Sequence, residues 1–186
     1  MIRLCRYAMV VLAWIACAAV AAPAGESQGM LEVRVKDHRE AIGDFSKLIL
    51  AFDAVSISAN AGYKFWRSGW KDLTPALASL DLTRYTGPHS ATVFRGPVGA
   101  GSYDAIHLKV RTVEATLKKT RGQAQLKNSV GPIKLAFATR SAGETVIVID
   151  LVVLDVSDHP PQAYQLAIRG YELYVDGKLK DKIPPG

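Results

Sequence analysis

The residues able to do acid–base or metal chemistry are few and scattered. The four histidines, His38, His89, His107 and His159, stand far apart. None has the close spacing that sets two imidazoles on one helical face around a metal. Two follow an aspartate, in Asp37-His38 and Asp158-His159, where Asp fixes a turn through its own side chain. His107 falls on the polar face of a strand. Asp150, Asp155 and Asp158 form the nearest carboxylate cluster. Along a strand Asp150 and Asp155 face opposite sides, which weakens any glycosidase-type dyad. Asp150 interrupts the apolar run from Glu144 to Val156, and a carboxylate there needs a partner. Backbone N–H groups of a loop, an Arg or a Lys would serve. An enzyme or metal protein would be built on Asp37, Asp150 and the loop acids. Ser102 lacks the G-x-S-x-G elbow, and the Gly-rich stretch Gly96 to Ser102 lacks the Gly-Lys-Ser/Thr of a phosphate loop. It reads as a turn. No catalytic residue, no metal and no cofactor are expected.

The densest constellation is Gly62-Tyr63-Lys64-Phe65-Trp66-Arg67-Ser68-Gly69-Trp70. Exposed aromatic rings are platforms for sugar faces or partner side chains, and a cation can stack on them. Tyr63, Trp66 and Arg67 are therefore the candidate ligand-binding residues, with Trp70 assigned to the core. Lys118, Lys119 and Arg121 cluster at a hairpin tip, and Lys178, Lys180 and Lys182 alternate near the end. Either group suits an anionic membrane surface, but lysines also protect edge strands from pairing.

The elements that must position these residues are strands. Met30 to Lys36 alternates apolar and charged residues, the period of a half-buried strand. Lys47 to Ser58 is the next, and one helical turn could precede it from Asp44. Tyr63–Trp66 and Trp70–Leu73 read as a hairpin around Ser68-Gly69. Asp81 to Tyr85 and Thr92 to Arg95 are short candidates. Ile106, Leu108 and Val110 face one way while His107, Lys109 and Arg111 face the other. Val113 to Lys118 continues that strand or pairs back. Pro132 to Ala138, Glu144 to Val156 and Tyr164 to Val175 follow. The run from Glu144 is so apolar that it should be central and covered on both faces. Helical periodicity is nearly absent, so the fold class is all-β, an antiparallel β-sandwich of about eight strands, immunoglobulin-like or transthyretin-like.

Residues 1–24 read as an export signal. Arg3 and Arg6 precede an uncharged run that decays into small residues, with A-x-A sites ending at Ala21 and Ala24. A retained membrane anchor and a lipid attached at Cys17 are the competing readings. Residues 25–29 are then a linker, 30–177 the sandwich domain and 178–186 a basic, flexible tail. The chain of 186 residues has two cysteines, Cys5 and Cys17, both in the first segment. The domain thus has no disulfide and no thiol nucleophile. The formal charge of +6 is spread along the chain without a nucleic-acid-binding motif, so no nucleic acid is expected as a partner.

The order of segments resembles that of the domain-of-unknown-function 4382 family, exported bacterial and archaeal domains that include many lipoproteins. The matching pieces are the opening strand Leu31 to Asp37, Val55 to Ser58, Gly69 to Leu73 and Asp81-Leu82. The most recognisable piece is Gly-x-Tyr-x-x-Ile-x-Leu-x-Val from Gly101 to Val110. Gly143-Glu144-Thr145, Val148 to Leu151 and Tyr164 to Leu166 follow. Where the family often has Asp-Phe-Asp, this chain has Asp150-Leu151-Val152, and its Leu166-Ala167-Ile168 replaces the family's Leu-Lys-Pro. The resemblance implies fold and export and carries no activity. The expected function is an exported, non-catalytic module with a protein-interaction or assembly role in the periplasm or at the cell surface. A carbohydrate-binding module using the 62–70 aromatic segment is the alternative, and a metal-binding or hydrolytic domain a further one. The expected partner is an envelope protein or a glycan.

Overall fold

A computed structural model of the chain describes residues 27–59, 69–159 and 163–183. Residues 1–24, expected as an export signal and containing Cys17, and Tyr63, Trp66 and Arg67 lie outside the described residues. The described chain forms eleven strands: β1 (Gln28–Asp37), β2 (Phe45–Ala59), β3 (Trp70–Leu73), β4 (Ser79–Asp81), β5 (Ala91–Gly99), β6 (Gly101–Leu117), β7 (Leu126–Asn128), β8 (Ile133–Thr139), β9 (Glu144–Asp155), β10 (Tyr164–Val175) and β11 (Lys178–Lys182). The surplus over about eight comes from β4 and β7, three residues each, and from β11. Two 3₁₀ turns, Ala41–Asp44 and Leu82–Arg84, complete the elements.

The strands make two sheets packed as a sandwich. One has the order β11-β10-β9-β1-β5, with β7 also on β10; the other has the order β3-β2-β6-β8, with β4 also on β2. Pairing is antiparallel except for β1 with β9 and β7 with β10, which are parallel. Both sheets are thus mostly antiparallel, as expected, with these two pairs as the exceptions. A strand inserted between two others must run parallel to one neighbour when those neighbours already run oppositely to each other, and β1 enters between β5 and β9 in that way.

The apolar alternation read from the sequence is what fills the space between the sheets. Leu31, Val33, Ile147, Ile149 and Leu151 of one sheet and Leu50, Val55, Ile57, Ile106 and Leu108 of the other are wholly buried in one core. Each such side chain contributes about 1.5–3 kcal/mol of transfer free energy. The Phe45 and Tyr164 rings meet edge-to-face at 4.7 Å, and Tyr103 stacks on Phe137 at 5.0 Å. β9 is central and buried on both faces, as its composition requires. Its outer valines, Val146 and Val148, lie in register between Glu32 and Tyr174 and between Arg34 and Glu172. The apolar parts of those long side chains cover them.

Of the two readings of Val113 to Lys118, continuation holds: β6 runs unbroken through Val113 to Leu117. Other expectations are corrected. Asp81 to Tyr85 is no strand beyond Asp81, because the Asp81 carboxylate accepts from Thr83 N at 3.2 Å and Thr83 Oγ1 at 2.8 Å and turns the chain into a 3₁₀ cap. Trp70 is not a core residue: it pairs with Ser58 on edge strand β3 and is 41% exposed. The segment after Val175, expected as a tail outside the domain, folds back as β11 on β10. The two-residue turn Asp176-Gly177, both with positive φ, makes that return.

Candidate functional site

β1 ends at Asp37, where the chain leaves the sheet. Asp37 N donates to Tyr85 O at 2.8 Å, Gly87 N donates to Asp37 O at 3.2 Å, and His38 N donates to Leu151 O at 2.9 Å. The end of β1 is thus pinned between β9 and the loop containing Gly87. A cleft of about 300 Å³ opens there, lined by Lys36, Asp37, His38, Arg39, Gly87, Pro88, Asp150, Glu172 and Lys182. Parallel register sets Lys36 beside Asp150, and on the other side Gly170 stands opposite Asp150.

The two aspartates carry the chemistry. Asp37 is fully buried; its Oδ2 accepts from Arg39 N at 2.7 Å, and its Oδ1 has no partner. Burial pushes its pKa up to about 6; the Arg39 N–H opposes that rise and the nearby Asp150 carboxylate adds to it. Asp150 Oδ2 lies 3.2 Å from His38 Nδ1, and its Oδ1 is likewise buried without a partner. Buried polar atoms are nearly always satisfied, so two orphan acceptors at one cleft call for an explanation. The sequence leads one to expect a loop N–H, an Arg or a Lys beside Asp150; the structure supplies an imidazole instead.

The other charges of the cleft hold one another. Glu172 accepts from Lys36 and Lys182, each at 3.1 Å, and from the Tyr174 hydroxyl at 2.7 Å. Burial alone would raise its pKa, but these donors outweigh it and hold the group at about 2. Further along the same face, buried Glu32 accepts from Arg34 Nε at 2.7 Å and Thr92 Oγ1 at 2.7 Å. The Arg34 hydrogen bond leads in pulling its pKa below the ordinary range, against burial.

Arg39 adds backbone strain. It adopts φ +73°, and Gly87 beside it adopts φ +63°. A Cβ on Gly87 would lie 2.5 Å from Arg39 Nη2, so the guanidinium occupies the space that glycine leaves. Non-glycine residues in this region cluster at functional sites, where surrounding contacts over-determine them.

The sequence-derived candidates divide clearly. Asp37 and Asp150 come together at the cleft, with His38 joining them. Asp155 turns aside to cap Ser157 N at 3.0 Å, and Asp158, His89 and His159 are exposed in loops. His107 is half-buried beside Trp70, with ring centroids 6.4 Å apart, and burial lowers its pKa. On the same face Asp72 accepts from Ser56 Oγ at 2.5 Å and from Lys109 Nζ at 2.9 Å. Among the described residues no group of three or more His, Cys, Asp or Glu could hold a metal ion. No described helix is long and apolar enough to cross a membrane. Arg39, Glu172 and Lys182 are not legible in the sequence as site residues. The signal that could have found them is slight: an Asp-His-Arg run after a strand, facing a Gly-Pro turn distant in sequence.

Among known protein families, the model of one described as Domain of unknown function (DUF4382) matches residues 28–167, well over half of the chain. No curated protein matches the chain. No solved structure matches it either.

Proposed function

The chain belongs to the DUF4382 family, and from that premise we propose that it is an exported, non-catalytic binding module whose working surface is the Asp37–Asp150 cleft. The observation that carries the reading is the pair of buried carboxylate oxygens, Asp37 Oδ1 and Asp150 Oδ1, without a donor at a cleft wide enough for a small ligand or a partner's side chain. The described residues that line the cleft are charged and hydrogen-bonding groups suited to holding a polar ligand. Export rests on residues 1–24, and an envelope assembly role fits a domain that acts through its surface.

The test is a comparison of the wild type with the Asp37→Asn/Asp150→Asn double variant. Envelope interactors should be captured by the first and lost by the second, while both unfold cooperatively. Equal capture by both would remove the cleft from the function. Intact mass should place the N-terminus at Ala22 or Gly25; an uncleaved N-terminus or a lipid on Cys17 would tether the same module to a membrane.

A second reading is favoured by Trp70. It is exposed on edge strand β3 beside His107, Asp72 and Lys109, and adjoins the segment bearing Tyr63, Trp66 and Arg67. Such a ring with polar neighbours suits the face of a sugar. Glycans should then quench tryptophan fluorescence, and Trp70→Ala should abolish the response; silence across a glycan panel counts against it.

A further inference from the structure

We propose that the cleft takes a small zwitterion of the α-amino-acid class, its ammonium held by Asp37 and Asp150 and its carboxylate by the Arg39 guanidinium. The proposal rests on the cleft being the binding surface and names what binds there.

The cleft carries unused hydrogen-bonding capacity of both kinds. On the acceptor side stand Asp37 Oδ1 and Asp150 Oδ1, both buried and both without a donor. On the donor side, Lys36 and Lys182 are both engaged by Glu172. That leaves Arg39, whose guanidinium has no hydrogen-bond or ion-pair partner among the described residues. The residue is exposed and lines the cleft. Its backbone is locked at φ +73° by the Asp37 carboxylate, and its side chain lies over Gly87, where no Cβ intervenes.

Unused acceptors and an unused planar donor fork therefore share one cleft. A simple cation would satisfy the carboxylates and leave the guanidinium facing like charge. A simple anion would pair with Arg39 and face two carboxylates. A molecule with an ammonium and a carboxylate on neighbouring atoms answers both, and Arg is the residue suited to bidentate carboxylate recognition. The volume of about 300 Å³ admits a free amino acid.

The experiment is calorimetric titration of the purified full-length protein with glycine, L-alanine and L-serine. Ethylamine, acetate, glucose and calcium chloride are run beside them. Amino acids should give saturable heat, and each half-ligand should bind at least about tenfold more weakly. Arg39→Gly is the decisive variant. It removes the guanidinium while suiting the positive φ, so it should keep or raise the Tm and weaken amino-acid binding about tenfold or more. Asp37→Asn should weaken it likewise. Ethylamine or calcium binding as tightly as glycine, or unchanged binding in Arg39→Gly, overturns the zwitterion and leaves the cleft as the binding surface. Failure of every probe at millimolar concentration also overturns it. The binding-module reading then falls separately, only if the Asp37→Asn/Asp150→Asn variant still captures the same envelope partners.

Discussion

At the scale of the residue, two carboxylates pull the molecule's pH dependence in opposite directions, because their pKa values move oppositely on folding. The folded-state pKa of Asp37, about 6, lies above its ordinary 3.8. The folded protein therefore holds this proton more tightly than the unfolded chain. The resulting stability is fully present below pH 3.8 and is lost as pH rises through about 6. Asp37→Asn mimics the protonated form. Chemical denaturation across pH 4–7 should show the wild type losing about 2–3 kcal/mol relative to the variant, because each tenfold difference in proton affinity between folded and unfolded chain is worth about 1.4 kcal/mol. Parallel curves would mean that Asp37 is solvated in solution. Glu172 works the other way, with about 2 in the fold against 4.5. Its stabilisation is present above pH 4.5 and fades as pH falls towards 2, so Glu172→Gln should flatten the acid limb of the profile. The sequence marks Asp150 as a buried acid in need of a partner, and Asp37 as a turn former or site acid. It cannot bring them together, because register between β1 and β9 is decided by core packing, not by the polar residues themselves. Arg39 is invisible for a different reason: its positive φ goes with a local bond from its own N–H to the Asp37 carboxylate, and nothing in an arginine announces it.

At the scale of the element, β11 departs furthest from its sequence pattern. Its charged, alternating lysines read as a solvated tail, yet four of its five residues pair with β10 and the strand is tied by side chains. Tyr171 OH donates to Asp181 Oδ2 at 2.8 Å, and Lys182 reaches Glu172. The strand covers part of the β10 edge, and β7 covers another part, beside Tyr164 to Leu166. Hydrophobic pattern finds strands that bury a face; β11 is exposed throughout, so pattern could not find it. A chain ending at Gly177 should lose about 1–3 kcal/mol and should self-associate through the bared edge, seen as a concentration-dependent elution volume. Gly170 gives the matching point test. A Cβ there would sit 2.7 Å from Ile183 O, and the β10 register shifts between Ile168 and Gly170. Gly170→Ala should therefore cost about 1–3 kcal/mol in the full chain, where it pushes Ile183 away. It should cost much less in the chain ending at Gly177, since the clashing atom is gone. Equal costs in both backgrounds would place the strain within β10 itself. The long apolar strands β2, β6 and β9 are legible because packing and propensity agree in them. The short pieces β4 and the 3₁₀ turn after it are not, because the Asp81 carboxylate sets their boundary.

At the scale of the whole molecule, one core joins the two sheets, and the first strand is its central tie. β1 pairs in parallel with β9 and antiparallel with β5, so Met30 stands beside Glu144 and opposite Pro97. The larger sheet cannot close until the segment between them has been made and folded. Such non-local pairing slows folding more than it changes stability. Two consequences differ sharply although both concern the N-terminal region. A chain starting at Gly25 keeps every described residue of the core and should unfold in one cooperative transition. Because Cys5 and Cys17 both precede it, that transition should be unmoved by reductant. A chain starting at His38 lacks Leu31, Val33 and Val35, all wholly buried, and leaves β5 and β9 without a shared neighbour. It should not fold, giving no cooperative melt and no near-ultraviolet dichroism. The same strand that joins β5 to β9 and packs its buried face into the shared core also delivers Asp37 to the cleft, so the binding surface can exist only once the sandwich has closed. Two separable melting transitions in the chain starting at Gly25 would break that link, since the sheet bearing the cleft would then be stable without the other.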